Sequence, residues 1–152
     1  MKKDNGITLI ALIVTIIIMI ILATIVVDFS TKAIDKAKLE DIKTNMLLIQ
    51  GKSQTIYEKY LFKEIEELTG ILYSEQNTYV ISDGLLDHLN VEDDIYIWGE
   101  EALNENGLGT IKTDEQTFYI VDYTTSEIYF SKGYEYNDLI YYSLTELQEL
   151  SI

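Results

Sequence analysis

From Ile7 to Val27 the chain runs for twenty-one residues without a charge, and this run constrains the fold more than any other feature. Fifteen of these residues are Ile, Leu or Val, and the only polar members are Thr8, Thr15 and Thr24. At about 1.5 Å per residue a helix of this length spans roughly 32 Å, close to the ~30 Å hydrocarbon core of a bilayer. Each Ile, Leu or Val favours insertion by about 0.3–0.6 kcal/mol, so several kcal/mol drive the segment into lipid. β-Branched residues weaken a helix in water, but lipid offers the backbone no partner, and a helix satisfies its own N–H and C=O groups.

Two other readings of the run fit less well. A buried core helix apolar on every face needs a large domain around it, and only about 125 residues follow. A secretory signal peptide has an apolar region of about 7–15 residues and a small-x-small cleavage site. Here Asp28-Phe29-Ser30 follows the run, a poor site. Lys2 and Lys3 precede the run and Lys32, Lys36 and Lys38 follow it, so flanking lysines alone barely set the orientation. The simplest topology is a single pass with the N-terminus cytoplasmic and the acidic bulk outside.

Charge is strongly polarised along the chain. Residues 31–65 hold seven lysines and five acids, about +2, whereas residues 66–152 hold two lysines and nineteen acids, about −17. There is no arginine, so the acidic half argues against nucleic acid as a partner. The absence of cysteine excludes disulfides and thiolate metal sites.

Met1-Lys2-Lys3-Asp4-Asn5-Gly6, followed by Ile7-Thr8-Leu9-Ile10-Ala11-Leu12, resembles a class III prepilin signal. Such signals belong to type IV pilins, type II secretion pseudopilins and competence pseudopilins. The resemblance implies cleavage by a prepilin peptidase between Gly6 and Ile7, with N-methylation of Ile7. Gly6 would admit an extended backbone to the peptidase, and Lys2 and Lys3 would hold the leader on the cytoplasmic face. It implies as partners the peptidase, other pilin-like subunits, membrane lipid and, indirectly, a platform protein and an assembly ATPase. Phe118 to Tyr129 looks like the terminal hairpin of pseudopilin-like proteins from Gram-positive bacteria.

The chain departs from the family at Ala11, where the fifth mature residue is usually Glu. A carboxylate at the centre of a span costs about 2.5–3.5 kcal/mol, which the family offsets by pairing it with a neighbouring subunit's N-terminal amine. Ala11 cannot make that pair. Three readings stay open: a minor or tip subunit, a branch that assembles through other contacts, or a chain that does not polymerise.

Beyond the span, Leu39, Ile42, Met46, Ile49, Ser53, Ile56 and Tyr60 recur at spacings of three and four, one apolar stripe on a continuing helix. The stripe suits packing on a sheet better than a coiled-coil seam, because it is short and Ser53 interrupts it. Glu66 and Glu67 are the last helical signals, with Gly70 as the expected C-cap. Strands are expected at 78–81, 95–98, 117–123 and 127–131, with a further one at Tyr141-Tyr142. Short helices are expected at 83–89 (Asp83 as N-cap), 100–104 and 144–150. The sum is an α+β fold, a long N-terminal helix on a small antiparallel sheet. The expected divisions are a leader at 1–6, a transmembrane helix at 7–27, an amphipathic helix at 28–69 and an acidic, tyrosine-rich head at 70–152.

Catalytic chemistry finds little support. His88 is the single histidine, no serine sits in a nucleophile motif, and a metal would depend on carboxylates. Glu92-Asp93-Asp94 and Asn104-Glu105-Asn106-Gly107 are oxygen-rich enough to keep calcium conceivable, but they read better as turns. Nine of twelve tyrosines lie between Tyr79 and Tyr142. They suit a half-buried sheet better than a sugar-stacking surface. The expected function is therefore structural rather than enzymatic: a pseudopilin or minor pilin assembled through its apolar helix. The alternative is a membrane-tethered module that binds a sugar or peptide.

Overall fold

The computed structural model describes residues 4–75, 78–90 and 94–150, and within these the side chains of all but residues 4–8, 27–31 and 75. The chain divides into two compact units, residues 1–38 and residues 39–152. Helix α1, Asp4–Leu61, supplies the described part of the first and opens the second. No Gly or Pro interrupts it between Gly6 and Gly51, so nothing in the sequence forces a break.

α1 stops at Leu61, short of the expected residue 69. The amide of Glu64 donates to the Lys59 carbonyl over 2.9 Å and that of Lys63 to the Tyr60 carbonyl over 3.0 Å. This Schellman closure places Lys63 in the left-handed region at φ 58°, a position usually filled by Gly. Glu66 and Glu67 therefore lie in the connection after the helix. Gly70 is not a helix cap but the entry to the sheet. Its φ is +106°, and a Cβ there would meet the Ile97 carbonyl oxygen at 2.7 Å.

The second unit is built on a five-stranded antiparallel sheet in sequential order. Its strands are β1 (Ile71–Leu72), β2 (Ile95–Trp98), β3 (Tyr119–Asp122), β4 (Glu127–Tyr136) and β5 (Leu139–Ser143). Short helices α2 (Asp83–Leu86), α3 (Glu100–Glu105) and α4 (Leu144–Glu149) punctuate it, and a single 3-10 turn, Tyr73–Glu75, follows β1. The β3–β4 hairpin is fixed by buried Asp122, whose Oδ1 accepts from the amides of Thr124 (2.9 Å) and Thr125 (3.0 Å). β4 runs past the expected end at Ser131 because Tyr134, Glu135 and Tyr136 pair with Tyr141, Ile140 and Leu139 of β5, beyond a register shift between Tyr129 and Tyr134. Gly133, at φ +65°, lies within that irregularity.

Alternation along the strands buries both faces of the sheet. Trp98, Tyr119, Val121, Ile128 and Phe130 pack in one cluster with Leu39, Met46, Ile49 and Ile56 of α1. From Leu39 to Ile56 the stripe read from sequence is thus the face that the sheet covers, whereas Tyr60 at its end is exposed; Ser53 within it is 2% exposed, its hydroxyl donating to the Gln50 carbonyl. Ile95, Ile97, Phe118, Ile120 and Tyr129 form the opposite cluster with Leu85 of α2. At about 1.5–3 kcal/mol for each large apolar side chain buried, these two layers dominate the stability of the unit.

The expected strand at 78–81 is not a strand. Val80 makes one backbone bond, to the Glu115 carbonyl, while half-buried Tyr79 and Ile81 pack on the second cluster. Their alternation reflects burial against a sheet face instead of membership of the ladder. The N-cap of α2 is Ser82, not Asp83: the Ser82 side chain accepts from the Leu85 amide. α4 starts with a full capping box between Ser143 and Glu146.

Candidate functional site

The first unit offers a single functional feature among its described residues, the 18-residue stretch Leu9–Val26 within α1. It is long and apolar enough to cross a membrane, and none of it is buried. At about 1.5 Å per residue it spans roughly 27 Å, within reach of a ~30 Å hydrocarbon layer with modest local adjustment. Leu9, Ile10 and Leu12 are 60, 63 and 59% exposed, and Ala11 is exposed beside them. In water such a surface is strongly unfavourable, so it needs lipid or protein around it.

Polar groups within the stretch are already satisfied. Thr15 Oγ1 donates to the Leu12 carbonyl over 2.8 Å, and Thr24 Oγ1 donates to the Ile20 carbonyl over 2.7 Å. Both hydroxyls therefore fold back onto their own helix. A helix built this way leaves no side-chain donor facing an apolar medium.

The expected processing residues are only partly within view. Lys2 and Lys3 lie outside the described residues, and for Gly6, Ile7 and Thr8 only the backbone is described. That backbone is helical, so Gly6 stands in the first turns of α1 rather than in an extended leader. Once a helix is propagating, one Gly costs about 1 kcal/mol relative to Ala, too little to stop it.

Elsewhere, His88 lies just beyond α2, with Nδ1 2.8 Å from the Gly84 carbonyl oxygen and Nε2 3.1 Å from Glu146 Oε1. It links the α2 layer to the α4 cap, in contact with the Tyr142 ring, and among the described residues no group of three or more His, Asp or Glu side chains is placed to hold a metal ion. Burial raises the Glu146 carboxyl, but the amides of Ser143 and Tyr142 and the His88 ring outweigh this and leave it below its ordinary value. Of the oxygen-rich segments, Glu92 and Asp93 lie outside the described residues. Asn104 to Gly107 closes α3, with the Gly107 and Leu108 amides donating to the carbonyls of Asn104 and Leu103.

Five of the twelve tyrosines belong to the buried core. Tyr119, Tyr123, Tyr129, Tyr134 and Tyr142 are all under 10% exposed, which removes them from any sugar-stacking surface. Tyr123 donates to the Thr69 carbonyl over 2.9 Å, and burial pushes its hydroxyl up to about 12. A groove beside the end of α1 is not legible in the sequence, where Glu66 and Glu67 read as part of the helix. No family model, curated protein or solved structure matches this chain.

Proposed function

We propose that the chain is a structural subunit, a pseudopilin or minor pilin, of a type IV filament-family machine. The observation that carries this reading is the wholly uncovered Leu9–Val26 stretch with its internally bonded threonines. Such a helix suits two environments in turn, lipid before assembly and packed protein after it. The Gly6-Ile7-Thr8-Leu9-Ile10 signal and the α+β head that follows support the same reading.

In this account the N-terminus starts in the cytoplasm and the acidic head lies outside the cell membrane. A prepilin peptidase opens the first turn of α1, cuts after Gly6, and the new amine of Ile7 is methylated. Assembly then proceeds by helix packing, with no bond chemistry in the head. Ala11 removes the usual carboxylate–amine pair, so incorporation rests on apolar contacts, as suits a minor or tip position. Mass spectrometry of the mature N-terminus tests this directly. N-methylated Ile7 is the expected start, and an intact Met1 in the mature protein contradicts the proposal.

A further inference from the structure

Within the second unit, the connection that leaves α1 and the short strand β1 border an open groove of about 490 Å³. Its walls include Tyr60, Leu68, Leu72 and Tyr96, with Glu66 and Glu67 among them. The volume falls within the roughly 300–1,000 Å³ of ligand sites. Both glutamates are exposed, and among the described residues neither has an ion-pair partner. β1 is the first strand of the sheet and pairs only with β2 among the described residues.

The groove is held in shape from behind. Trp98 Nε1 and the Tyr123 hydroxyl both donate to the Thr69 carbonyl, at 3.0 and 2.9 Å. The rings run in contact from Tyr60 to Tyr57 (6.5 Å), Tyr57 to Tyr123 (5.9 Å) and Tyr123 to Tyr96 (5.4 Å). A wall fixed before binding loses little freedom when a ligand arrives.

We propose that this groove docks an extended, lysine-bearing peptide segment of a partner protein, laid along the β1 edge. Its ammonium groups meet Glu66 and Glu67, and its aliphatic stems lie against Tyr60 and Tyr96, where ring faces also attract the cation. Main-chain bonds to the outer edge of β1 add to this, as in other strand additions. A neutral oligosaccharide would use the rings but leave two carboxylates without a countercharge. The inference stands apart from the filament reading, since it concerns only the second unit.

The test titrates the full chain, isotope-labelled in detergent micelles, with an acetylated Lys-Val-Lys-Val-Lys peptide. A Glu-for-Lys version and maltopentaose serve as comparison probes. Chemical-shift changes are expected at Leu68, Leu72 and Tyr96, for the lysine peptide alone. Glu66→Gln with Glu67→Gln should weaken its binding about tenfold, as expected for losing two exposed ion pairs, with an unchanged far-UV spectrum. Equal binding of the glutamate peptide, binding of maltopentaose in its place, or shifts that map elsewhere would overturn the proposal. Full retention of affinity in the double variant would do the same.

Discussion

The indole N–H of Trp98 donates to the Thr69 carbonyl over 3.0 Å, tying the connection after α1 to the fully buried end of β2. Trp98→Phe removes this bond and leaves part of the indole volume empty. The variant is expected to lose about 2–3 kcal/mol, read as a lower urea midpoint at constant slope. Tyr123→Phe, which leaves the Trp98 bond in place, should cost nearer 1 kcal/mol.

Tyr123 also gives the fold an alkaline limit. Burial raises its hydroxyl from the ordinary 10.0 to about 12, so the folded state resists ionisation. Stability from this group is fully present below pH 10 and falls as pH climbs toward 12. Tyr119 is raised by burial in the same sense. Denaturation followed across this interval should therefore show stability declining steadily, and the decline should be shallower in Tyr123→Phe. An identical decline in both proteins would show that Tyr123 is not the group concerned.

Three substitutions at backbone positions of α1 and its exit carry opposite signs. Gly51 lies mid-helix, and an added methyl there would meet nothing within 4 Å, so Gly51→Ala should stabilise by about 0.5–1 kcal/mol. Lys63→Gly relieves the left-handed strain at φ 58° and should gain roughly 0.5–1 kcal/mol. Gly70→Ala, at φ +106° against the Ile97 carbonyl, should cost more than about 2 kcal/mol. Thermal melts of the three variants check the order.

Glu146 is expected to act as both cap and clasp. Its Oε2 accepts the amides of Tyr142 and Ser143 at 3.0 Å each, while Oε1 meets His88. Glu146→Ala should cost about 1 kcal/mol through the capping box. Because the carboxyl is lowered in the fold, its contribution is present above the ordinary value of 4.5 and lost as pH falls below that value. The acid limb of the stability profile should flatten in the variant.

Much of the head is legible in the sequence because its pattern is clear. Residues 95–98, 119–122 and 127–130 stand out as short apolar and aromatic runs between polar turns, buried on both faces, and the helix stripe from Leu39 to Ile56 marks the covered face. Other features leave no periodic trace. β1 has only two residues, and Tyr79 and Ile81 imitate a strand by packing on one. The end of α1 is hidden because Lys63 takes a conformation usually left to Gly, so Gly70 is the visible but wrong stop. The groove depends on where the helix ends, and it is hidden for the same reason. The membrane-length segment is plain from composition alone.

Loss of anchoring offers a direct perturbation of that segment. Ile17 lies near the middle of Leu9–Val26 and is 50% exposed. Ile17→Lys should cost about 2.5–3.5 kcal/mol of insertion free energy. The variant is expected to shift from the carbonate-resistant membrane fraction toward the soluble or degraded pool, while Ile17→Leu remains in place.

The measurement closest to the central claim is quantitative mass spectrometry of filaments sheared from cells. The chain should appear in that fraction as a low-abundance component starting at N-methylated Ile7, and should vanish from it when the prepilin peptidase is removed. A chain found solely in the cell membrane, still starting at Met1 with the peptidase present, would contradict the account.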